Sequence, residues 1–176
     1  MITSGDINKI LKRVVVPTLR EIGFSKFKGR VAWRYLDDAI WVFHTKAVGN
    51  YFSEVTGFPP SSLTARLGIF YLDFPGSHPV KTVDDGLLIP DESRCQVRYG
   101  LDNIADQIAI RNPEMREQDR LRKDIWWVDR DGSNAEAVVE DIRRSILEYG
   151  VPLLEKPYNT RAAQLERRGL ADPRSC

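Results

Sequence analysis

The chain opens on a helical pattern. Ile7, Ile10, Leu11, Val14 and Val15 fall at i, i+3, i+4, i+7 and i+8, one apolar stripe on an α-helix. Thr3-Ser4-Gly5-Asp6 ahead of it has the spacing of a capping box, with Asp6 in place of the usual glutamate. Pro17 removes a backbone donor, so the spacing predicts a kink or a restart there. Leu19 and Ile22 prolong the stripe, Gly23 suits the position just past the helix end, and Phe24 is the apolar residue that follows. Then the period changes to two. Val31, Trp33 and Tyr35 alternate with Ala32, Arg34 and Leu36, and Asp37-Asp38 reads as a tight turn. Ala39 to Lys46 is apolar on both faces as far as His44, as a central strand should be. Tyr51 to Val55 reads as more sheet, Gly57 to Ser62 as a loop, Thr64 to Leu72 as a strand and residues 73–93 as a long surface loop.

Arg94 to Tyr99 alternates again, Cys95, Val97 and Tyr99 against Arg94, Gln96 and Arg98. Asn112-Pro113-Glu114 predicts the start of a charged helix to about Lys123, and Asp124 to Asp129, with Trp126-Trp127, a last strand. Ser133-Asn134-Ala135-Glu136 is a second capping pattern. Val138, Val139, Ile142, Ile146 and Tyr149 follow at helical spacing, and Gly150 and Pro152 predict the stop. Thr160 to Arg168 predicts a short final helix with a thin apolar face, Ala162 and Leu165.

This order is not an alternating βαβ series. It predicts an α+β fold: an antiparallel sheet of about five strands (near 31–36, 39–46, 64–72, 94–99 and 124–129) with helices packed mainly on one face. Residues 1–157 make a single domain and 158–176 a C-terminal helical tail, mobile or docked on a partner. The expected core includes Ile10, Val14, Phe24, Val42, Leu67, Ile69, Val97, Ile142 and Ile146.

Composition narrows the class. The chain has 176 residues, 42% hydrophobic and 29% charged, a globular composition long enough to fold without a metal or a disulfide. No apolar run reaches the roughly 20 residues of a membrane span, and no basic-then-apolar leader opens the chain. Two cysteines, Cys95 and Cys176, read as thiols in a reducing cytoplasm. The two histidines, His44 and His78, lack the company of a zinc site, and Asp84-Asp85 and Asp91-Glu92 lack calcium-loop spacing, so no metal and no cofactor is expected. The net charge of +1 hides an uneven spread. Residues 1–34 carry net +6, residues 35–110 net −5 and the remainder none. The basic N-terminal third is either an intramolecular complement to the acidic middle or a patch for an anionic partner.

One resemblance emerges from the stretch Leu19 to Arg34, the Leu67-Gly68-Ile69 strand, Cys95 to Arg98, Trp126-Trp127 and the ending Gly150 to Glu155. In this order and spacing they resemble the bacterial family catalogued as domain of unknown function 4304, over about residues 7–157. That family has a Gln-Lys-Ser-like stretch where this chain has His44-Thr45-Lys46. The resemblance implies an α+β fold and brings no reaction and no catalytic residues.

Chemistry is sparse. Gly-x-x-x-x-Gly-Lys-Ser/Thr, Gly-x-Gly-x-x-Gly and Gly-x-Ser-x-Gly are all absent, so nucleotide-loop and hydrolase readings lack their anchors. His44, at a strand end, is the weak catalytic candidate; it would need a nucleophile or an orienting carboxylate, and a backbone-bonded histidine is the plainer reading. Arg34, Arg66 and Arg98 sit at alternate strand positions, and the expectation is that they share the uncovered sheet face. With Trp126 at their margin they form a candidate ligand-binding set for a carboxylate or phosphate, weighed against a solvated face. An exposed tryptophan beside arginine would suit a protein hot spot. Lys26-Phe27-Lys28-Gly29-Arg30 has the look of a nucleic-acid contact without a supporting motif, so a solvated turn is the expectation and nucleic acid is not a favoured partner.

Three function classes remain: a non-enzymatic cytoplasmic binding module acting through a protein partner (immunity- or antitoxin-like roles being one form), a binder of a small anionic ligand on an arginine-lined sheet face, and a hydrolase or transferase using His44. The first is preferred on sequence, so an enzyme is the lesser expectation.

Overall fold

The computed structural model of the protein describes residues 1–74, 86–101 and 125–167. Five strands pair antiparallel in sequence order: β1 (Lys26–Lys28), β2 (Val31–Tyr35), β3 (Ala39–Ala47), β4 (Leu63–Tyr71) and β5 (Val97–Gly100). The register sets Trp33 opposite Val42, His44 opposite Arg66, and Gly68 opposite Arg98. The α+β expectation therefore holds, as does the central place of β3, whose residues 39–43 are buried on both faces.

Helix α1 (Ser4–Glu21) starts where the capping box said it would. Thr3 Oγ1 accepts from the Asp6 N–H, and the Thr3 N–H donates to the Asp6 carboxylate. It runs through Pro17 with no restart. Its end is a Schellman turn, with Phe24 N–H donating to Leu19 C=O at 2.9 Å and Gly23 at φ +93°. Ile7, Leu11, Val15 and Leu19, spaced four apart, form the buried line against the sheet; Ile10 and Val14 flank it, half-buried. Val97 is likewise half-buried, while Phe24, Val42, Leu67, Ile69, Ile142 and Ile146 are core.

Four elements depart from expectation. Lys26–Lys28 is an edge strand rather than a turn. Residues 50–56 form a short helix, α2 (Asn50–Thr56), rather than more sheet. Glu92–Arg94 is a 3-10 turn, so β5 begins only at Val97. Cys95 therefore packs with Trp33, Ile40, Val42 and Phe70 on the face opposite the helices, away from Val97 and Tyr99. Trp126 makes only an isolated bridge to Leu63, so residues 124–129 are not a strand among the described residues. The expected helix 112–123 lies outside the described residues.

The C-terminal helices also differ. Asn134 caps α3 (Ala135–Ser145) without a side-chain hydrogen bond to it. Its amide instead accepts from the Asp129 N–H at 2.8 Å and donates to the Trp127 C=O, closing the preceding loop. Gly150 does not stop the chain. Residues Ile146–Gly150 form a π-helical turn that leads directly into α4 (Val151–Arg167). A Cβ at Gly150 would meet Leu67 Cδ1 at 3.1 Å, so the glycine lets this turn lie close on β4. Pro152, the second residue of α4, directly follows that turn and does not break the helical run. Helix α4 crosses the expected tail boundary at residue 158 without a break. Tyr158 packs edge-on against Trp41, ring centroids 6.0 Å apart, and Arg161 lies over the Tyr71 ring and pairs with Asp73.

The sheet is thus covered on both sides. Helices α1, α3 and α4 pack on one face. On the other, the segment 88–95 lies across Trp33 and Tyr35, whose Nε1 and OH donate to the Pro90 and Leu88 carbonyls at 2.8 and 2.9 Å.

Candidate functional site: a cationic cleft between the first helix and the central strand

The expected arginine set assembles only in part. Because Arg34 pairs with Trp41 across β2 and β3, it points to the helix face, its guanidinium 4.6 Å from the Trp41 ring centroid. Arg66 and Arg98 point to the opposite face as diagonal neighbours on β4 and β5. The cause is register: Arg34 sits opposite Trp41, whose side chain belongs to the helix-side core, while Arg66 and Arg98 fall on the other face. Trp126 is core. Its Nε1 donates to the buried Asp141 carboxylate at 2.9 Å, and Arg144 pairs with that same carboxylate. All four tryptophans are buried, so none supplies an exposed hot spot.

His44 is half-buried on the Arg66 face, with Nδ1 lacking a partner among the described residues. Burial lowers its pKa, helped by the positive charges of Lys46 and Arg30 and opposed by Asp91. Asp91 already accepts from the Ser93 N–H, and burial beside Glu92 and Asp91 pushes the Cys95 thiol up to about 12, so it is no thiolate at neutral pH. Among the described residues no three His, Cys, Asp or Glu side chains group as metal ligands. His78, Asp84 and Asp85 lie outside the described residues.

A concave site stands elsewhere, on the helix side. A cleft of about 390 Å³ opens between the start of α1, the end of β3 and the loops that follow β3 and precede α3. Ile2, Ala47 and Pro60 give it apolar walls; Ser4, Asn50 and Ser61 line it with polar groups; Arg30 and Arg130 give it charge. No carboxylate is among its described lining residues.

Each wall has a local cause. Arg30 follows Gly29, which turns β1 into β2 at φ +60°. The Arg30 Nε donates to Asn8 Oδ1 at 2.6 Å and Nη2 to Ser4 Oγ at 2.9 Å. These neutral partners fix one edge of the guanidinium and leave the Nη1 edge without a described partner. Burial lowers the Arg30 pKa, yet the group remains a cation at any physiological pH. Arg130 is brought across by backbone pairing. Leu63 and Trp126 exchange both hydrogen bonds at 2.9 and 2.8 Å, and the Ile2 N–H donates to the Arg130 carbonyl at 3.1 Å. The Arg130 side chain is exposed and makes no ion pair with a described residue. The far wall is held by Val48 N–H to Ser62 C=O and Gly49 N–H to Pro60 C=O. Phe58 anchors that loop against Trp127, centroids 5.4 Å apart.

Arg30 was visible in the sequence as part of the basic N-terminal third. Arg130 was not: it sits in an Asp-Arg-Asp-Gly turn, a charge pattern that usually marks nothing beyond solvent. Two arginines in a concave, partly apolar site, with no carboxylate among the described lining residues, can hold an anion. No helix of the described residues is long and apolar enough to cross a membrane. No family model matches the chain, and no curated protein or solved structure matches it.

Proposed function

We propose that the protein is a non-enzymatic binding module for a small organic anion, seated in the cleft between Arg30 and Arg130. One observation carries the reading: a cleft of about 390 Å³, within the usual size of ligand sites, has two arginines and no carboxylate among its described lining residues. Like charges brought together in a concavity repel, and an anion relieves that repulsion while using the bidentate edge of each guanidinium. This is the small-anion reading of the sequence moved from the sheet face to the helix side. A cytoplasmic setting and kinship with domain of unknown function 4304 belong to the same proposal and rest on the residues quoted for them.

Calorimetric titration with inorganic phosphate and with acetate tests it. Saturable binding that weakens between 50 and 300 mM salt, roughly the range over which screening tightens from about 14 to 6 Å, is the expected result. Arg30→Ala and Arg130→Ala should each weaken it about tenfold or more, the scale of one lost charge-assisted contact. Heat-free titrations, or binding unchanged in both variants, would sink the reading.

The protein-partner reading keeps one observation in its favour. Tyr51 and Val55, one turn apart on α2 beside the cleft, are 82% and 65% exposed. A partner that covers them would lose affinity on Tyr51→Ala with anion binding unchanged.

A further inference from the structure

The cleft has a neighbour at Arg30. A second, narrower cavity of about 30 Å³ begins on the other side of that residue, between α1 and the sheet. The two share Arg30 as a lining residue, and they follow one seam. On α1 the seam passes from Ser4 in the cleft to Asn8, Leu11 and Val15 in the groove. On β3 it passes from Ala47 in the cleft to Thr45 and Phe43 in the groove, successive residues of the helix-facing side. Apart from Asn8, Lys12, Thr45 and Arg30 itself, the groove is lined by carbon: Leu11, Val15, Val16, Leu19, Phe27, Ala32 and their neighbours.

Resting on the anion reading of the cleft, we infer that its ligand is an alkyl carboxylate. The carboxylate meets Arg30 and Arg130, and the alkyl chain runs past the aliphatic stem of Arg30 into the groove. Arginine is suited to this junction, because its methylene stem is apolar while its head is charged. The Asn8 and Ser4 hydrogen bonds hold that head against α1, so the stem faces the seam in a fixed position. A bare inorganic anion satisfies the cleft and leaves the groove unused; a neutral hydrocarbon satisfies the groove and leaves two cations uncompensated. Only a molecule with both parts fits the whole seam. The groove is small: a water needs about 10–15 Å³ of such space, so it takes only a few carbons.

A series of straight-chain acids (acetate, butyrate, hexanoate and octanoate) titrated against the whole protein tests this. Each methylene taken up should tighten binding about fourfold, the value of a buried CH₂, until the groove is full and the gain stops. Val16→Phe, which adds bulk to a half-buried groove residue, should flatten the series while leaving acetate affinity as it was. Unchanged acetate binding also shows that the variant is folded and its cleft intact. Should Val16→Phe fail to fold, the wild-type series decides alone. Acetate binding that depends on Arg30 with no gain along the series overturns the inference and leaves the anion reading standing. A chain-length gain that persists in Val16→Phe also overturns it. If no acid in the series binds while inorganic phosphate does, the inference falls and the anion reading stands; if neither binds, both fall.

Discussion

Gly68 on β4 lies directly beneath Cys95, and a Cβ built there would stand 2.6 Å from the Cys95 sulfur and 2.7 Å from its Cβ. Gly68→Ala should therefore cost about 1–3 kcal/mol in urea unfolding, the range for overpacking a fitted core. In a Cys95→Gly background the penalty should shrink, because two residues in contact do not act independently. Cys95 itself makes a second prediction. Its folded pKa, about 12, lies above that of an unfolded thiol, so its contribution to stability is full below about pH 8.5 and is lost as pH rises toward 12. Wild type should lose more stability between pH 8 and 10 than Cys95→Ala does, and native Cys95 should resist alkylation until the protein unfolds. Residue-scale reading of the sequence succeeded where the cause is local. Thr3 and Asp6 cap within one turn, and Gly23 takes its positive φ because the helix end requires it. It failed where the cause is across the molecule: nothing in Val31 to Leu36 says which alternate set meets α1, so Arg34 was placed on the wrong side.

Helix α3 is held by its buried line, Val138, Val139, Ile142 and Ser145, and by Asp141, whose carboxylate joins Trp126 to Arg144. Ile142 is fully buried, so Ile142→Ala should cost about 2–5 kcal/mol on chemical denaturation; a loss below about 1 kcal/mol would mean that this line does not face the core. Asp141→Leu leaves the Trp126 indole N–H buried with no acceptor and should cost about 1–3 kcal/mol, read the same way. Element existence was legible because periodicity is strong in α1, α3, β3 and β4. Element ends were less so. Gly150 and Pro152 carry the usual stop signal, but a π-helical turn absorbs the glycine and α4 continues, because packing on Leu67 and Trp41 outweighs the local preference for a break. Val97 and Cys95 looked like one face of one strand; the 3-10 turn at Glu92–Arg94 puts them on two.

At the scale of the molecule, a meander sheet whose strands pair only with sequence neighbours is sandwiched between the first and last helices of the described chain and the 88–95 segment. The cleft belongs to this scale: Arg30, Asn50, Ser61 and Arg130 come from four separate stretches, and no one of them has a signature of its own. His44 also acts here. Its folded pKa lies below 6.5, so the unfolded chain binds the extra proton first and stability should fall as pH drops below 6.5, measurably less in His44→Gln. The packing of α1 against α3 has a consequence for synthesis. Strands β1 to β4 can zip as they leave the ribosome, since each partner has just emerged. The flank of α1 and the part of the sheet's helix-side face that α3 and α4 cover stay open until residues 135–158 are made. The nascent chain thus carries an open, adhesive face for most of its translation. A chain released at residue 130 should stay expanded and bind chaperones, whereas one released past residue 167 should fold in a single step.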